Sequence, residues 1–257
     1  MSGKVLLSFD VEEFDLPREH GEMISVKKGA KVSAEGLVKI LDVLKNNKVR
    51  ATFFCTVNFA KEQPELIKRI NTDGHEVACH GVNHFKPTKT DAKKCKEYLD
   101  KCFKVATAGW RQPRMQTINY DDLKKCGFLY DSSVNPAFIP GRYNNMKEPR
   151  KPHLKSGILE IPTSVATGLR VPLFWLALHL FPFFVYMRLA KMAIKKTGFL
   201  ATYFHPWEFA DLGDYKVVPW YIKRNSGDKL VKRLDKMIKK LKGDGDKFVV
   251  YRELVKK

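Results

Sequence analysis

The chain lacks the features that mark small secreted or repetitive proteins. Among 257 residues there are five cysteines, an odd number, and no two of them form a CxxC pair. A disulfide framework is therefore not predicted, and we expect reduced, structural thiols. No repeat or low-complexity block divides the sequence, so residues 1–257 are predicted to form a single domain with a sizeable core.

Acidic residues are scarce as well. The chain has 28 Asp and Glu against 47 Lys and Arg, for a formal charge of +19. This favours an anionic partner such as nucleic acid, a phospholipid surface or a phosphorylated substrate. Nucleic acid is the weakest of the three, because no zinc-finger, RNA-recognition or basic-zipper pattern is present. The opening MSGKVLLSFD has too few apolar residues for a secretory signal, so we expect a cytoplasmic protein, with peripheral contact at the inner membrane face as an alternative.

Short apolar runs alternate with segments of helical periodicity. Residues Val5 to Phe9 have the length of a strand, and apolar residues then recur at helical spacing in SAEGLVKILDVLKNNK. Further strands are predicted in RATFFCTV, HEVACH, GWRQP, GILEIP and FLATYFH. Such alternation implies parallel pairing through crossovers, and about seven units predict an α/β fold of the distorted (β/α) barrel type. In these barrels chemistry gathers at the C-terminal ends of the strands.

One segment departs from this pattern. Residues 171–187, VPLFWLALHLFPFFVYM, carry no formal charge and are followed by the basic RLAKMAIKK. A full membrane span is disfavoured, because the run is at the short limit and is interrupted by Pro172, His179 and Pro182. Two interpretations stay open: an apolar helical insertion near 169–197, buried or covering a cleft, and an interfacial segment whose basic flank meets anionic lipid.

The stretch CHGVNHF places two histidines four residues apart after a predicted strand. Two imidazoles at this spacing can face one point and bind one divalent metal, although a surface or core HxxxH is common without one. A hydrolytic metal site also needs a carboxylate. In the first predicted strand and its end, FDVEEF, alternation directs Asp10 and Glu12 to one side, and Val11 and Glu13 to the other. One acid of the first pair can bind metal while the other accepts a proton from water.

Five stretches, SFDVEEF, HGVNH, WRQPRM, YDSSVNP and YFHPWEF, occur in this order between residues 4 and 210. As a set they resemble the five motifs of the polysaccharide deacetylase family, the NodB-homology enzymes. Val11 stands where most members have a second Asp, so the chain is similar to the subgroup with a D-x-[DE] first motif. Arg114, Met115 and Tyr203 also depart from common residues of the family, which affects the expected acyl pocket more than the expected reaction.

The resemblance implies a role for each matching residue. It makes Asp10 the general base, Arg111 the residue that orients this base, and His205 the general acid. It makes Glu12, His80 and His84 the ligands of a divalent ion, with zinc expected and cobalt, iron or manganese as alternatives. It also places Pro113, Asp131, Tyr203 and Trp207 at the substrate. We expect Glu13 and Asp15 to lie outside the site, solvated or paired with Arg18, and His75 to be structural.

The expected function is a metal-dependent hydrolase that removes an N-acyl group, most simply acetyl, from an amino sugar of a glycan or of a lipid-linked glycan precursor. An amidase or imidase acting on a small non-sugar C–N substrate is the first alternative. The second is a barrel that binds a glycan or a lipid headgroup without turnover.

Overall fold

The computed structural model describes residues 2–88 and 90–255 and shows a curled, mostly parallel sheet with helices outside it. The strands are β1 (Lys4–Val11), β2 (Thr52–Cys55), β3 (Glu76–Cys79), β4 (Gly109–Trp110), β5 (Tyr130–Asp131), β6 (Phe138–Ile139), β7 (Tyr143–Asn144), β8 (His153–Lys155), β9 (Ile158–Glu160), β10 (Phe199–Phe204) and β11 (Lys247–Phe248). The helices are α1 (Leu16–Glu19), α2 (Val26–Asn47), α3 (Val57–Glu62), α4 (Pro64–Thr72), α5 (Asp91–Phe103), α6 (Tyr120–Lys125), α7 (Trp175–Leu180), α8 (Phe183–Thr197), α9 (Trp220–Lys223) and α10 (Asp228–Gly243). Short 3-10 helices span Pro113–Met115, Pro206–Phe209 and Tyr251–Leu254.

The sheet order is β10-β1-β2-β3-β4-β5-β9-β8, and β11 also pairs with the start of β1. Every neighbouring pair from β10 to β9 is parallel, whereas β8 pairs antiparallel with β9. Beyond β9, the Ser164 N–H donates to the Ala201 carbonyl at 2.8 Å, which ties this end of the sheet back to β10. The predicted distorted (β/α) barrel is confirmed.

Alternate side chains of β1 enter two different cores. Val5, Leu7 and Phe9 pack among the helices, whereas Leu6 packs inside the barrel with Phe54. Because successive strand residues point to opposite faces, the polar residues that continue the Leu6 row also point inward. The alternation predicted for FDVEEF therefore has its physical basis in two apolar layers, one on each side of β1.

The helix predicted around residues 33–48 begins earlier, after Ser25, whose side chain accepts a hydrogen bond from the Lys28 N–H. The helix predicted in KEQPELIKRINTDG is α4, and an additional short helix, α3, precedes it and ends just before Gln63. Pro64 explains the break, because proline has no N–H and restricts the residue before it. Strands β5 to β8 have two or three residues each, too few for a periodic pattern to show.

The apolar segment folds as α7 and the beginning of α8, separated at Phe181 and Pro182. Helix α8 ends at Gly198, whose φ of 88° is the left-handed conformation that closes many helices, and β10 follows at once. Within residues 2–88 and 90–255, no helix combines the length and the apolar character that crossing a membrane requires.

Candidate functional site

A cavity of 360 Å³ opens where the motif-bearing strands end. Its polar wall includes Asp10, Glu12 and three histidines, His80, His84 and His205. Its other walls are largely aromatic and are formed by Phe174, Trp175, Tyr203, Trp207 and Tyr221. The reactive groups therefore gather at the C-terminal end of a parallel barrel, where such groups are expected.

Glu12, His80 and His84 present one ligand atom each to a common point. Glu12 Oε2 lies 3.2 Å from Nε2 of His80 and 3.2 Å from Nε2 of His84. One ligand atom from each residue lies within 4.8 Å of the other two. Two imidazoles and a carboxylate are a donor set that suits a catalytic divalent ion and leaves positions open.

The other ring nitrogen of each histidine is held by an acceptor. His80 Nδ1 donates to the Arg111 carbonyl at 2.8 Å, and His84 Nδ1 lies 2.9 Å from Asp15 Oδ2. A carbonyl oxygen can only accept, so the proton of a neutral His80 resides on Nδ1 and its Nε2 lone pair faces Glu12. Such partners orient metal-binding histidines and increase their basicity. The residues present therefore fit a divalent metal.

The prediction that Asp15 lies outside the site is wrong. Asp15 is 4% exposed, lines the cavity and bonds His84. The side chain of Arg18, its expected partner, donates instead to the Ile24 carbonyl at 3.0 Å. Strand β1 ends at Val11, so strand alternation no longer determines where Asp15 points. The requirement of a ligand histidine for a second acceptor is the signal that could have indicated this residue.

Glu13 is not solvated either. It is 2% exposed and accepts hydrogen bonds from Thr56 Oγ1 at 3.0 Å and Asn58 Nδ2 at 3.1 Å. It is absent from the cavity lining, as the alternation predicts. Glu13 therefore ties the end of β1 to the loop and helix after β2.

Asp10 is paired with the guanidinium of Arg111. The two groups are 2.6 Å apart, and Arg111 is completely buried inside the barrel. Arg111 also donates to Ser8 Oγ at 3.0 Å and to both the carbonyl and the hydroxyl of Ser132 at 2.9 Å. Its guanidinium carbon lies 4.0 Å from the centre of the Phe54 ring. A buried cation held this way keeps a fixed position relative to Asp10.

The charge of Arg111 decides the ionisation of Asp10. Burial alone would raise the pKa of this carboxyl, but Arg111, and after it His80 and His205, outweigh burial and lower it. Asp10 Oδ2 is 3.9 Å from His80 Nε2. An ionised carboxylate therefore lies beside the candidate metal ligands and opens into the cavity.

His205 approaches the same point from β10. Its Nδ1 bonds Glu208 Oε1 at 2.8 Å, its ring stacks on Trp207 with centroids 5.1 Å apart, and its Nε2 is 4.0 Å from Glu12 Oε1. Burial opposes the charged imidazolium, but Glu12, Glu208 and Asp10 together raise the pKa of His205. Helix α2 packs directly against the turn that follows His205. Gly36 allows this close approach, because a Cβ added there would lie 1.8 Å from the Pro206 carbonyl oxygen.

Glu208 bonds a second buried imidazole. Its Oε2 is 2.9 Å from His179 Nε2, and the Asn225 side chain donates to the His179 carbonyl at 2.5 Å. Burial would raise the pKa of Glu208, but the bonds to His179 and His205 lower it. Helix α7, the first part of the apolar segment, is thereby connected to His205. The sequence indicated no role for His179 beyond interrupting an apolar run.

The residues predicted to bind substrate divide into two pairs. Tyr203 and Trp207 line the cavity, and Trp207 Nε1 donates to Glu12 Oε1 at 3.3 Å. Pro113 and Asp131 do not line it. Asp131 is completely buried and accepts from the N–H and the hydroxyl of Ser133 at 2.9 and 2.6 Å. The predicted contact of these two residues with the substrate has no geometric support.

The segment after Pro113 nevertheless shapes the cavity. Arg114 and Met115 both line it, and both have positive φ, 59° and 51°. Such conformations are costly for residues other than glycine and are often found at functional sites. His75, which we expected to be structural, is buried away from the cavity, and burial lowers its pKa to about 4.

The fold and the donor set define a (β/α) barrel with a candidate divalent-metal centre at its strand ends. Residues 16–123 match the model of the polysaccharide deacetylase family, a segment that includes His80, His84 and Arg111. Over this segment the chain is similar to the polysaccharide deacetylase family, and the segment contains two of the five motifs, HGVNH and WRQPRM. Asp10, Glu12 and His205 lie outside the matched segment. Their assignment to the site depends on the sequence motifs and on the geometry of the cavity.

Known proteins similar to the chain agree with this relationship. The peptidoglycan-N-acetylmuramic acid deacetylase PdaA of Bacillus subtilis is 44% identical over 62 residues, which are 24% of each chain. The solved structure of the same relative has a TM-score of 0.54 at 22% identity, covering 98% of this chain and 80% of that one. The allantoinase PuuE has a TM-score of 0.67 at 15% identity, covering 98% and 88%. The structural similarities show the fold, whereas the sequence matches span about a quarter of the length of the first curated relatives.

Proposed function

We propose that the protein is a metal-dependent hydrolase that removes an acetyl group from the nitrogen of an amino sugar. The observation that carries this proposal is that Glu12, His80 and His84 line one cavity together with His205 and with Asp10, which is paired with the buried Arg111. Similarity to the polysaccharide deacetylase family and to a peptidoglycan deacetylase supports the same reaction class.

Glu12, His80 and His84 would hold the ion, and a bound divalent cation would supply a Lewis acid that polarises an acyl carbonyl. Zinc suits two imidazoles and one carboxylate, with cobalt, iron and manganese as alternatives. Two nearby side chains, Asp10 and His205, would then carry out the two proton transfers of the reaction.

Asp10, kept ionised by Arg111, accepts a proton from the attacking water. His205 approaches with Nε2 directed at the cavity and Nδ1 bound to Glu208, which suits it to donate a proton to the departing amine. Amide hydrolysis needs this donation because an unprotonated amine is a poor leaving group. The acid and the base lie beside the same candidate metal ligands, as one bound amide requires.

The aromatic walls indicate how the sugar would be held. Tyr203, Trp207, Trp175 and Tyr221 present flat apolar surfaces around the polar end of the cavity. A pocket with apolar walls and a few convergent polar groups is the usual form of a small-molecule site. We propose an acylated amino sugar as the substrate, with a lipid-linked sugar phosphate at the inner membrane face as the form that fits the basic charge of the chain.

The test is release of free amine from N-acetylated sugar oligomers and from acetylated peptidoglycan fragments, with the protein first stripped by a chelator and then reloaded with zinc or cobalt. We expect no turnover after stripping and recovery on reloading. Failure on acetylated amino sugars of every length would contradict the proposal. Turnover of a cyclic ureide or a formamide alone would favour the amidase alternative, and an unaltered biological role of Asp10→Asn would favour a binding barrel.

A further inference from the structure

One exposed surface beside the mouth of the cavity combines large apolar side chains with cations. It consists of Leu180 and Phe184, at the corner between α7 and α8, and of Trp220 and Tyr221 on α9; we call it the docking face. Phe184 is 73% exposed and Trp220 is 69% exposed. Tyr221 belongs to both this face and the cavity wall. Exposed large apolar groups that cluster in this way mark a surface with a partner.

The two parts of the docking face belong to one rigid region. Helices α7 and α9 are in contact, and Leu176 of α7 lines the cavity together with Tyr221 of α9. Asn225, just after α9, donates to the His179 carbonyl at 2.5 Å. The Leu180 corner and the Trp220 turn are therefore held side by side at the rim of the cavity.

The two most exposed aromatic residues of the face, Phe184 and Trp220, each have a cation four residues later. Phe184 is followed by Arg188, and Trp220 by Arg224, whose backbone N–H donates to the Trp220 carbonyl at 2.9 Å. Residues four apart on a helical turn are neighbours on its surface. Both arginines are exposed. An aromatic group flanked by a cation is the arrangement that places the ring at the level of lipid headgroups and the charge at their phosphates.

Negative charge is absent from the sequence around this face. Residues 161–207 contain no Asp or Glu, and neither do residues 215–227, although the chain has 28 acidic residues in all. Two copies of such a face would repel each other, whereas an anionic surface would attract it. Charge complementarity therefore selects an anionic lipid bilayer over a second copy of this chain.

We propose that the docking face binds the surface of an anionic membrane, with Phe184 and Trp220 inserted among the headgroups and Arg188 and Arg224 on their phosphates. This surface binding differs from membrane spanning. It would turn the mouth of the cavity toward the bilayer through Tyr221, so that a headgroup-linked sugar could reach the candidate metal site. That last consequence rests on the proposed function, whereas the docking itself does not.

Vesicle flotation tests the docking directly. The probes are vesicles of phosphatidylcholine alone and vesicles of equal parts phosphatidylcholine and phosphatidylglycerol, each with the full chain. We expect binding to the anionic vesicles only. The double variant Phe184→Ser/Trp220→Ser should reduce the partition coefficient by more than about tenfold, and Arg188→Glu/Arg224→Glu by at least about 30-fold.

Two control variants distinguish the contribution of the docking face to vesicle binding from the effects of exposed apolar residues and of net charge in general. Leu154→Ser removes an apolar side chain that is 72% exposed on β8, and Lys45→Glu/Lys101→Glu makes the same charge change on α2 and α5. Equal losses in the face variants and the controls would overturn the proposal. So would absence of binding to anionic vesicles, or light scattering that shows a dimer abolished by Phe184→Ser/Trp220→Ser. Because flotation needs no turnover, an inactive protein that floats would count against the proposed reaction and leave the docking supported.

Discussion

Two sets of buried carboxyl groups lie at the ends of strands in the same sheet, and their pKa values are shifted in opposite directions. Asp10, at the end of β1, is 2.6 Å from the guanidinium of Arg111. Asp131 and Glu160 are partners on β5 and β9, and both are completely buried. Asp10 is therefore a carboxylate paired with a cation, whereas Asp131 and Glu160 form no ion pair with any cation in residues 2–88 and 90–255.

Burial acts on both sets in the same sense, because a low dielectric disfavours the charged form. At Asp10 the cation outweighs burial and the pKa is lowered. Burial, followed by the neighbouring Asp131, raises the pKa of Glu160 well above its ordinary value, and burial also raises the pKa of Asp131. Residue type and burial do not decide the charge of a carboxyl group here; contact with Arg111 does.

The two sets also differ in what they face. Asp10 opens into the cavity, whereas Glu160 accepts hydrogen bonds from the Tyr120 hydroxyl at 3.1 Å and the Val134 N–H at 3.2 Å. The first arrangement leaves a charged oxygen available to a substrate. The second holds α6 and the loop after β5 onto β9, which is a structural task.

Removal of the cation should break this contrast most severely. Arg111→Met leaves Asp10 buried and unpaired, and we expect the free energy of unfolding to fall by about 3–5 kcal/mol, together with loss of activity. Urea denaturation measures the stability. Asp10→Asn/Arg111→Met, which removes both charges, should recover part of the loss. Equal stability of the single and double variants would contradict the pairing.

Removal of the carboxylate charge alone should act on chemistry more than on the fold. Asp10→Asn keeps the shape and can still accept from Arg111, but it cannot take a proton, so we expect deacetylation to slow by about 10²–10⁴-fold. Metal content, measured by elemental analysis of the purified variant, should stay at the level of the unaltered protein. A matching loss of metal would instead assign Asp10 to the ligand set.

A third carboxylate, Asp15, extends the comparison to the histidine side of the cavity. Asp15→Asn should weaken metal affinity by about 10–100-fold, because the amide no longer provides the carboxylate that orients and polarises His84. Competition against a chromogenic chelator measures the affinity. Glu13→Gln is the matched control, since Glu13 is as deeply buried but bonds Thr56 and Asn58. Equal effects of the two variants would leave the role of Asp15 without support.

The sequence predicted best those features that depend on residues close together in the chain. Alternation along β1 correctly placed Asp10, and Glu12 directly after the strand, on one side, because strand geometry determines that face locally. The same rule failed for Asp15, which comes after the strand has ended. The strand ends that meet at the cavity were predictable once a parallel barrel was inferred, since all such ends share one rim.

The features that the sequence did not predict depend on tertiary contacts. His179 meets Glu208 only because α7 packs against the turn after β10, and no spacing in the chain predicts that approach. The Asp131–Glu160 pair needs β5 beside β9. Strand β9 was predicted in GILEIP, but β5 has only two residues and leaves no periodic signal. The sequence therefore predicted residues at the ends of strands better than contacts between elements that are distant along the chain.

The smallest expected effect comes from the carboxyl pair, and it is a change in pH dependence. Because the pKa of Glu160 is raised in the folded state, its stabilising contribution is complete below the ordinary value of 4.5 and is lost as pH rises through the folded value. Glu160→Gln does not titrate, and its amide can still accept from Val134 and donate to Asp131. The variant should therefore gain stability relative to the unaltered protein as pH rises from about 4.5 toward neutrality.

Urea denaturation midpoints across this pH range measure the gain, with Glu97→Gln as the control, since the Glu97 side chain is 64% exposed on α5. The control should show the slope of the unaltered protein. Parallel slopes for all three proteins would mean that Glu160 is ionised in the fold, and the contrast with Asp10 would then lose its basis. A flatter slope in Glu160→Gln alone would show that one sheet keeps a charged carboxylate for its cavity and a protonated one for its packing.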